Sequence, residues 1–73
     1  MSEITEVEIN REPVELYKIL KFEGWVSSGA EAKQAIADEQ VWVNGEIETR
    51  KRRKIIAGDL LQFNDETFRI KLI

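Results

Sequence analysis

The chain has 73 residues, 14 acidic and 11 basic, for a net charge of −3, and it contains neither cysteine nor histidine. A chain this short holds one hydrophobic core, so residues 1–73 are expected to form a single domain. The two missing residue types exclude disulfides and zinc sites built from thiolate or imidazole, and they remove the commonest general base and the readiest nucleophile, so neither a cofactor nor catalysis is expected.

Along the chain, Glu3 to Asn10 sets Thr5, Val7 and Ile9 against Glu6 and Glu8, the period-two pattern of a half-buried edge strand. Pro13 suits the first turn of a helix, and Leu16, Ile19 and Leu20 recur at helical spacing until Gly24 stops it, which predicts helix one over about 13–23 with Lys18 and Lys21 on its exposed face. Ser28 followed by Glu31 has capping-box spacing: the Ser28 hydroxyl would accept from the residue 31 N–H while the Glu31 carboxylate returns to the Ser28 backbone. Helix two would run from there to near Asp38, with Ala32, Ala35 and Ile36 facing inward.

Val41 to Ile47 is a hairpin around Asn44-Gly45, a pair that tolerates the positive φ angles of a type I′ turn. Strict pairing sets Trp42 opposite Ile47 and leaves Val41 and Val43 opposite Glu48 and Glu46, so either face of the hairpin could be the buried one. Ala57-Gly58-Asp59 turns the chain into Leu60–Phe63, Asn64-Asp65-Glu66 reverses it, and Phe68, Ile70 and Leu72 then alternate with Thr67, Arg69 and Lys71. The predicted order is strand, two helices, then a β meander, an α+β fold.

Met1 to Glu12 carries four Glu and no apolar stretch, and no apolar run approaches the ~20 residues of a membrane span, so a cytoplasmic chain with no membrane association is expected. Charge is unevenly distributed. Residues 1–49 hold 11 acidic and 4 basic side chains, whereas residues 50–73 hold 3 acidic and 7 basic. At physiological salt the screening length is ~8 Å, so a polyanion responds to the face it meets more than to the average.

Arg50-Lys51-Arg52-Arg53-Lys54 is the most distinctive run. Neighbouring like charges repel by roughly 0.5–1 kcal/mol per pair even at water's dielectric constant. The run reads either as a solvated loop or targeting signal, or as a surface for a polyanion; the apolar Ile55-Ile56 that follows places it inside the fold as a solvated surface. Asp38-Glu39 and Asp65-Glu66 read as solvated turn residues. Trp25 and Trp42 could stack on unpaired bases or belong to the core, with packing favoured for Trp25.

Taken together, Leu16 and Leu20, Gly24, Ser28, Ala32-Lys33, Ile36, Val41-x-Val43-Asn44-Gly45 and Gly58-Asp59 resemble, over about residues 14–63, the RNA-binding domain named after protein four of the small ribosomal subunit, also called the alpha-L RNA-binding motif. Phe22-Glu23-Gly24-Trp25, Ser28-Gly29-x-x-Ala32-Lys33 and Glu48-Thr49-Arg50-Lys51-Arg52 resemble its stand-alone bacterial branch, the YbcJ-like proteins. The resemblance implies two antiparallel helices packed on a small, mostly antiparallel sheet, and noncatalytic binding of structured RNA by the helix pair and adjacent loops. Two positions depart from the wider pattern: Gly29 stands where Arg is common, and Glu39 where Gly is common. The expected contacts are therefore Lys18, Lys21, Lys33, Arg50, Lys51, Arg52, Arg53 and Lys54, with rRNA of a ribosomal subunit or its precursor as partner and a monomeric state. The rival expectation is a protein-interaction adaptor that docks its basic segment on an acidic partner.

Overall fold

The computed structural model describes residues 4–73, so Glu3, the expected start of the first strand, lies outside the described residues. The elements in chain order are β1 (Ile4–Ile9), β2 (Val14–Glu15), α1 (Leu16–Phe22), α2 (Gly29–Ala37), β3 (Trp42–Val43), β4 (Glu46–Ile47), β5 (Lys54–Ile55), β6 (Leu60–Phe63) and β7 (Glu66–Leu72). Five strands form one sheet in the order β1-β7-β6-β3-β4, and β2 and β5 form a separate antiparallel pair. Within the larger sheet only β1 and β7 run parallel; the remaining pairs are antiparallel. The fold is α+β, with Leu16, Leu20, Ala32 and Ile36 from the helices and Val43, Leu61, Phe68 and Ile70 from the sheet all buried in one core.

Alternation in β1 and β7 has the expected consequence. Val7, Phe68 and Ile70 are buried, and Glu6, Glu8, Arg69 and Lys71 lie exposed on the other face. The hairpin closes through Asn44 (φ 53°) and Gly45 (φ 85°), with Trp42 opposite Ile47. Its buried face is that of Val41 and Val43, while Trp42 and Ile47 point outward. Trp25 packs: its ring stacks on Phe68 at 4.0 Å and lies 6.4 Å from Phe63.

Three local expectations are corrected. Helix one begins at Leu16, because Val14 and Glu15 are extended and pair with Ile55 and Lys54. Pro13 therefore precedes a short strand instead of opening a helix. The meander is interrupted: β5 leaves the sheet to join β2, and β6 pairs with β3 on the side away from β4. The capping box is only half formed. The Glu31 N–H donates to Ser28 Oγ (3.1 Å), but the Glu31 carboxylate accepts from Ser27 Oγ (2.6 Å) and not from the Ser28 backbone.

Both helices end in the same hydrogen-bond pattern, in which a residue with positive φ lets the chain turn back on the last helical turn. In α1, the Gly24 N–H bonds to the Lys21 carbonyl and the Trp25 N–H to that of Leu20 (both 3.1 Å); in α2, Glu39 and Gln40 make the equivalent bonds to Ile36 and Ala35 (both 3.1 Å). Gly24 adopts φ 75° without a Cβ to hinder it. Glu39 adopts φ 63° with one, at a steric cost of roughly 1–2 kcal/mol.

Candidate nucleic-acid interface

The basic segment begins three residues beyond the end of β4, after Glu48 and Thr49. The Glu48 N–H donates to the Val41 carbonyl (2.9 Å), so Glu48 extends the pairing and shares a face with Val41. Val41 is fully buried, and Glu48 is the one charged side chain buried among the described residues, at 5% exposure. A carboxylate in that position requires partners. Arg50 supplies a two-pronged contact, Nε to Oε2 (3.0 Å) and Nη2 to Oε1 (3.1 Å), and its backbone N–H also donates to Oε2 (3.0 Å). Arg53 Nη1 donates to Oε1 at 2.8 Å. The Arg50 side chain chiefly, then Arg53 and the Arg50 N–H, outweigh burial and hold the Glu48 carboxyl at about 2. The same bond pushes the Arg50 guanidinium up.

Backbone contacts fix the loop a second time. α1 has no side-chain cap; its first two N–H groups, of Leu16 and Tyr17, donate to the carbonyls of Arg53 (2.9 Å) and Lys51 (3.1 Å). Donors that would be orphaned at the start of the helix are thus satisfied by the basic loop itself. The run is a solvated surface, as its composition suggests, with Arg53 alone half-buried, but it is tethered: Arg50 and Arg53 bond to Glu48, and Glu15 holds Lys18 (3.1 Å) and lies 3.9 Å from Arg52.

This arrangement brings part of the predicted set together. An open groove runs between the exposed side of α2, through Ala30, Lys33, Gln34 and Ala37, and the loop from Thr49 to Arg52. Lys33 Nζ sits 4.9 Å above the Tyr17 ring, so Tyr17 places one cation with its ring and the Lys51 carbonyl with its N–H. Arg53 and Lys54 line an adjoining hollow with Arg50 and Arg52. Lys18 stands beside the loop through its bond to Glu15, whereas Lys21, on the exposed last turn of α1, lines neither hollow. Among the described residues, Lys51 and Lys54 have no carboxylate oxygen within 4.0 Å.

Sequence reasoning missed Glu48 and Tyr17 as organisers, and Gln34 and Thr49 as groove residues. A signal for Glu48 existed, because hairpin register sets it opposite Val41. None existed for the contact of Tyr17 with Lys33, which joins different helices.

A model of the S4 domain family matches residues 7–71. The Escherichia coli (strain K12) protein named "Putative RNA-binding protein YbcJ" is 60% identical over 50 residues, 68% of this chain and 71% of that protein. "Uncharacterized protein YbcJ" of Shigella flexneri is identical to the same extent over the same shares. The solution structure of YbcJ from E. coli, described there as revealing an alpha-L motif involved in RNA-binding, superposes with a TM-score of 0.70 and 46% identity, over 97% of this chain and 91% of that one.

Proposed function

This chain belongs to the S4 domain family, and we propose that it is a noncatalytic binder of structured RNA that grips phosphates in the groove between α2 and the basic loop. The observation that carries this reading is the placement of Lys33 on one wall and Lys51 and Arg52 on the other. Phosphate contacts of this kind set affinity and orientation, while base edges contribute little. The groove walls are small, polar and cationic, Trp25 is stacked on Phe68 in the core, and Trp42 lies on the outer face of the sheet. A surface built this way follows the shape of folded RNA, including its 2′-hydroxyls, more than it stacks on unpaired bases. The family and the names of its relatives support RNA as the class of ligand. Within that class we favour rRNA of a ribosomal subunit or its precursor, met in the cytoplasm by a monomer.

The test is a fluorescence anisotropy titration with an RNA hairpin and with a DNA hairpin of the same sequence. Tighter binding of the RNA is expected, and equal affinity for the two would contradict the reading. Recovery of the protein from lysate with and without RNase checks it independently: partners should be lost on RNase treatment, and a stoichiometric protein that persists would favour the adaptor instead.

A further inference from the structure

We propose that Glu48 is a positioning residue of this site, a buried carboxylate that holds the basic loop in one shape so that its outward cations are already placed when RNA arrives. The inference rests on the RNA reading and assigns a role within it to the side chain whose charge is least expected there. A cluster of phosphate-binding cations gains attraction from every positive charge and loses it with every negative one. By charge alone, Glu48 is a defect.

The geometry gives it a use. Five successive cations repel one another and favour a splayed loop. Glu48 gathers Arg50 and Arg53 and binds the Arg50 N–H, while the carbonyls of Lys51 and Arg53 are tied to the start of α1. Arg50 and Arg53 are thereby tethered, Arg53 half-buried and Arg50 still exposed, and Lys51, Arg52 and Lys54 stand exposed without a bond to Glu48. Arg50 is not consumed by this. Its guanidinium has five N–H donors, of which Nε–H and one on Nη2 are spent on Glu48; the rest remain available to an anion, and the Arg50 side chain is 72% exposed. Binding to a loop that is already ordered avoids the ordering cost at the moment of association.

Positioning and simple charge screening make opposite forecasts for Glu48→Gln, which keeps the shape of the side chain and removes its charge. If Glu48 only screens the cations, the variant should bind a labelled RNA hairpin of about 16 base pairs several-fold more tightly, with a salt slope steeper by about one unit. If Glu48 positions the loop, the variant should bind about fivefold or more weakly despite its extra positive charge. Amide hydrogen exchange reads the loop directly: the Leu16 and Tyr17 amides should lose protection of about tenfold or more, while the Ile70 amide, bonded to the Asp59 carbonyl, keeps its protection.

Glu48→Asp is the companion variant. It retains the charge and shortens the reach, so screening forecasts no change and positioning forecasts weaker binding; it decides the matter should the Gln variant fail to fold. Folded variants that bind as well as the parent or better would overturn the proposal. If the parent itself fails to bind the hairpin, the RNA reading falls, and the ordering role is judged by exchange alone: loss of Tyr17 protection supports it and unchanged protection overturns it.

Discussion

Two stretches of this chain are rich in cations, and their surroundings differ. Arg69 and Lys71 project from the outer face of β7, where register sets them beside Glu6 and Glu8 of β1. Each cation there has an exposed carboxylate as its strand neighbour, so the face is close to neutral for anything that approaches it. Around residues 50–54 five cations meet two acids among the described residues: Glu48, which is buried and engages Arg50 and Arg53, and half-buried Glu15, which is the strand neighbour of Lys54 and lies 3.9 Å from Arg52. The number of cations does not make a surface attractive to phosphate. What matters is where the compensating carboxylates lie, and whether they are exposed beside the cations or buried where they tether them from behind.

The largest effect is expected from reversing charge on each stretch in turn. Lys51, Arg52 and Lys54 changed together to Glu replaces three outward cations by anions and should weaken binding of an RNA hairpin about 100-fold or more. Stability should stay within about 1 kcal/mol of the parent, because these side chains are exposed. Arg69 and Lys71 changed to Glu should alter affinity by less than about threefold. Anisotropy titrations at one salt concentration compare the two, and equal losses would erase the distinction between the stretches.

Next in size is the cost of releasing the tether. Changing Arg50 and Arg53 to Gln strands a carboxylate inside the fold and should lower unfolding free energy by about 2 kcal/mol. Adding Glu48→Gln to that pair should recover most of the loss, which denaturant melts of the two variants would measure. Stability that does not recover would mean that the arginines act through packing and not through Glu48.

Acid should loosen the same contact. The folded-state value of Glu48 lies below its ordinary 4.5, at about 2, so its stabilising contribution is complete above about pH 5 and is lost as pH falls toward 2. The displacement sets a ceiling of about 3 kcal/mol, and because the arginines that hold the carboxylate are open to water, about 1–2 kcal/mol is expected. Denaturant melts near pH 6 and pH 2.5 should therefore show Glu48→Gln losing less stability than the parent by that amount. Equal acid losses would show that the buried carboxylate gains nothing from its arginines.

A smaller, separate effect is expected just beyond the end of α2. Glu39→Gly relieves a non-glycine residue at positive φ. It should raise stability by about 0.5–1 kcal/mol in a thermal or denaturant melt, since the entropy of glycine in the unfolded chain offsets part of the steric relief. RNA affinity should not change.

Much of this architecture is legible where a local signal decides it. Asn44-Gly45 permits one kind of turn, Gly24 one kind of helix end, and the alternation in β1 and β7 fixes which side chains face the core. What escapes depends on contacts between distant segments. Strands of two residues carry no periodicity, so the pairing of Val14–Glu15 with Lys54–Ile55 could not be foreseen, and Pro13 is read into the helix as a result. The run at 50–54 is visible as charge, but its division into members tethered to Glu48 and members not bonded to it follows from the burial of Glu48. That burial depends on which hairpin face meets the helices. Lys33 and the loop share a groove across segments far apart in sequence, with the first N–H groups of α1 donating to the carbonyls of Arg53 and Lys51.

The most direct measurement is the salt dependence of RNA affinity for three proteins: the parent, a variant with Lys51, Arg52 and Lys54 changed to Gln, and one with Arg69 and Lys71 changed to Gln. With about four to six cations displacing counterions, the parent's log affinity should fall against log salt with a slope of roughly −3 to −5. The loop variant should lose about two to three units of that slope and the strand variant less than about half a unit. A parental slope near zero, or a slope that the strand variant flattens as much as the loop variant does, would contradict a phosphate site organised on the loop behind Glu48.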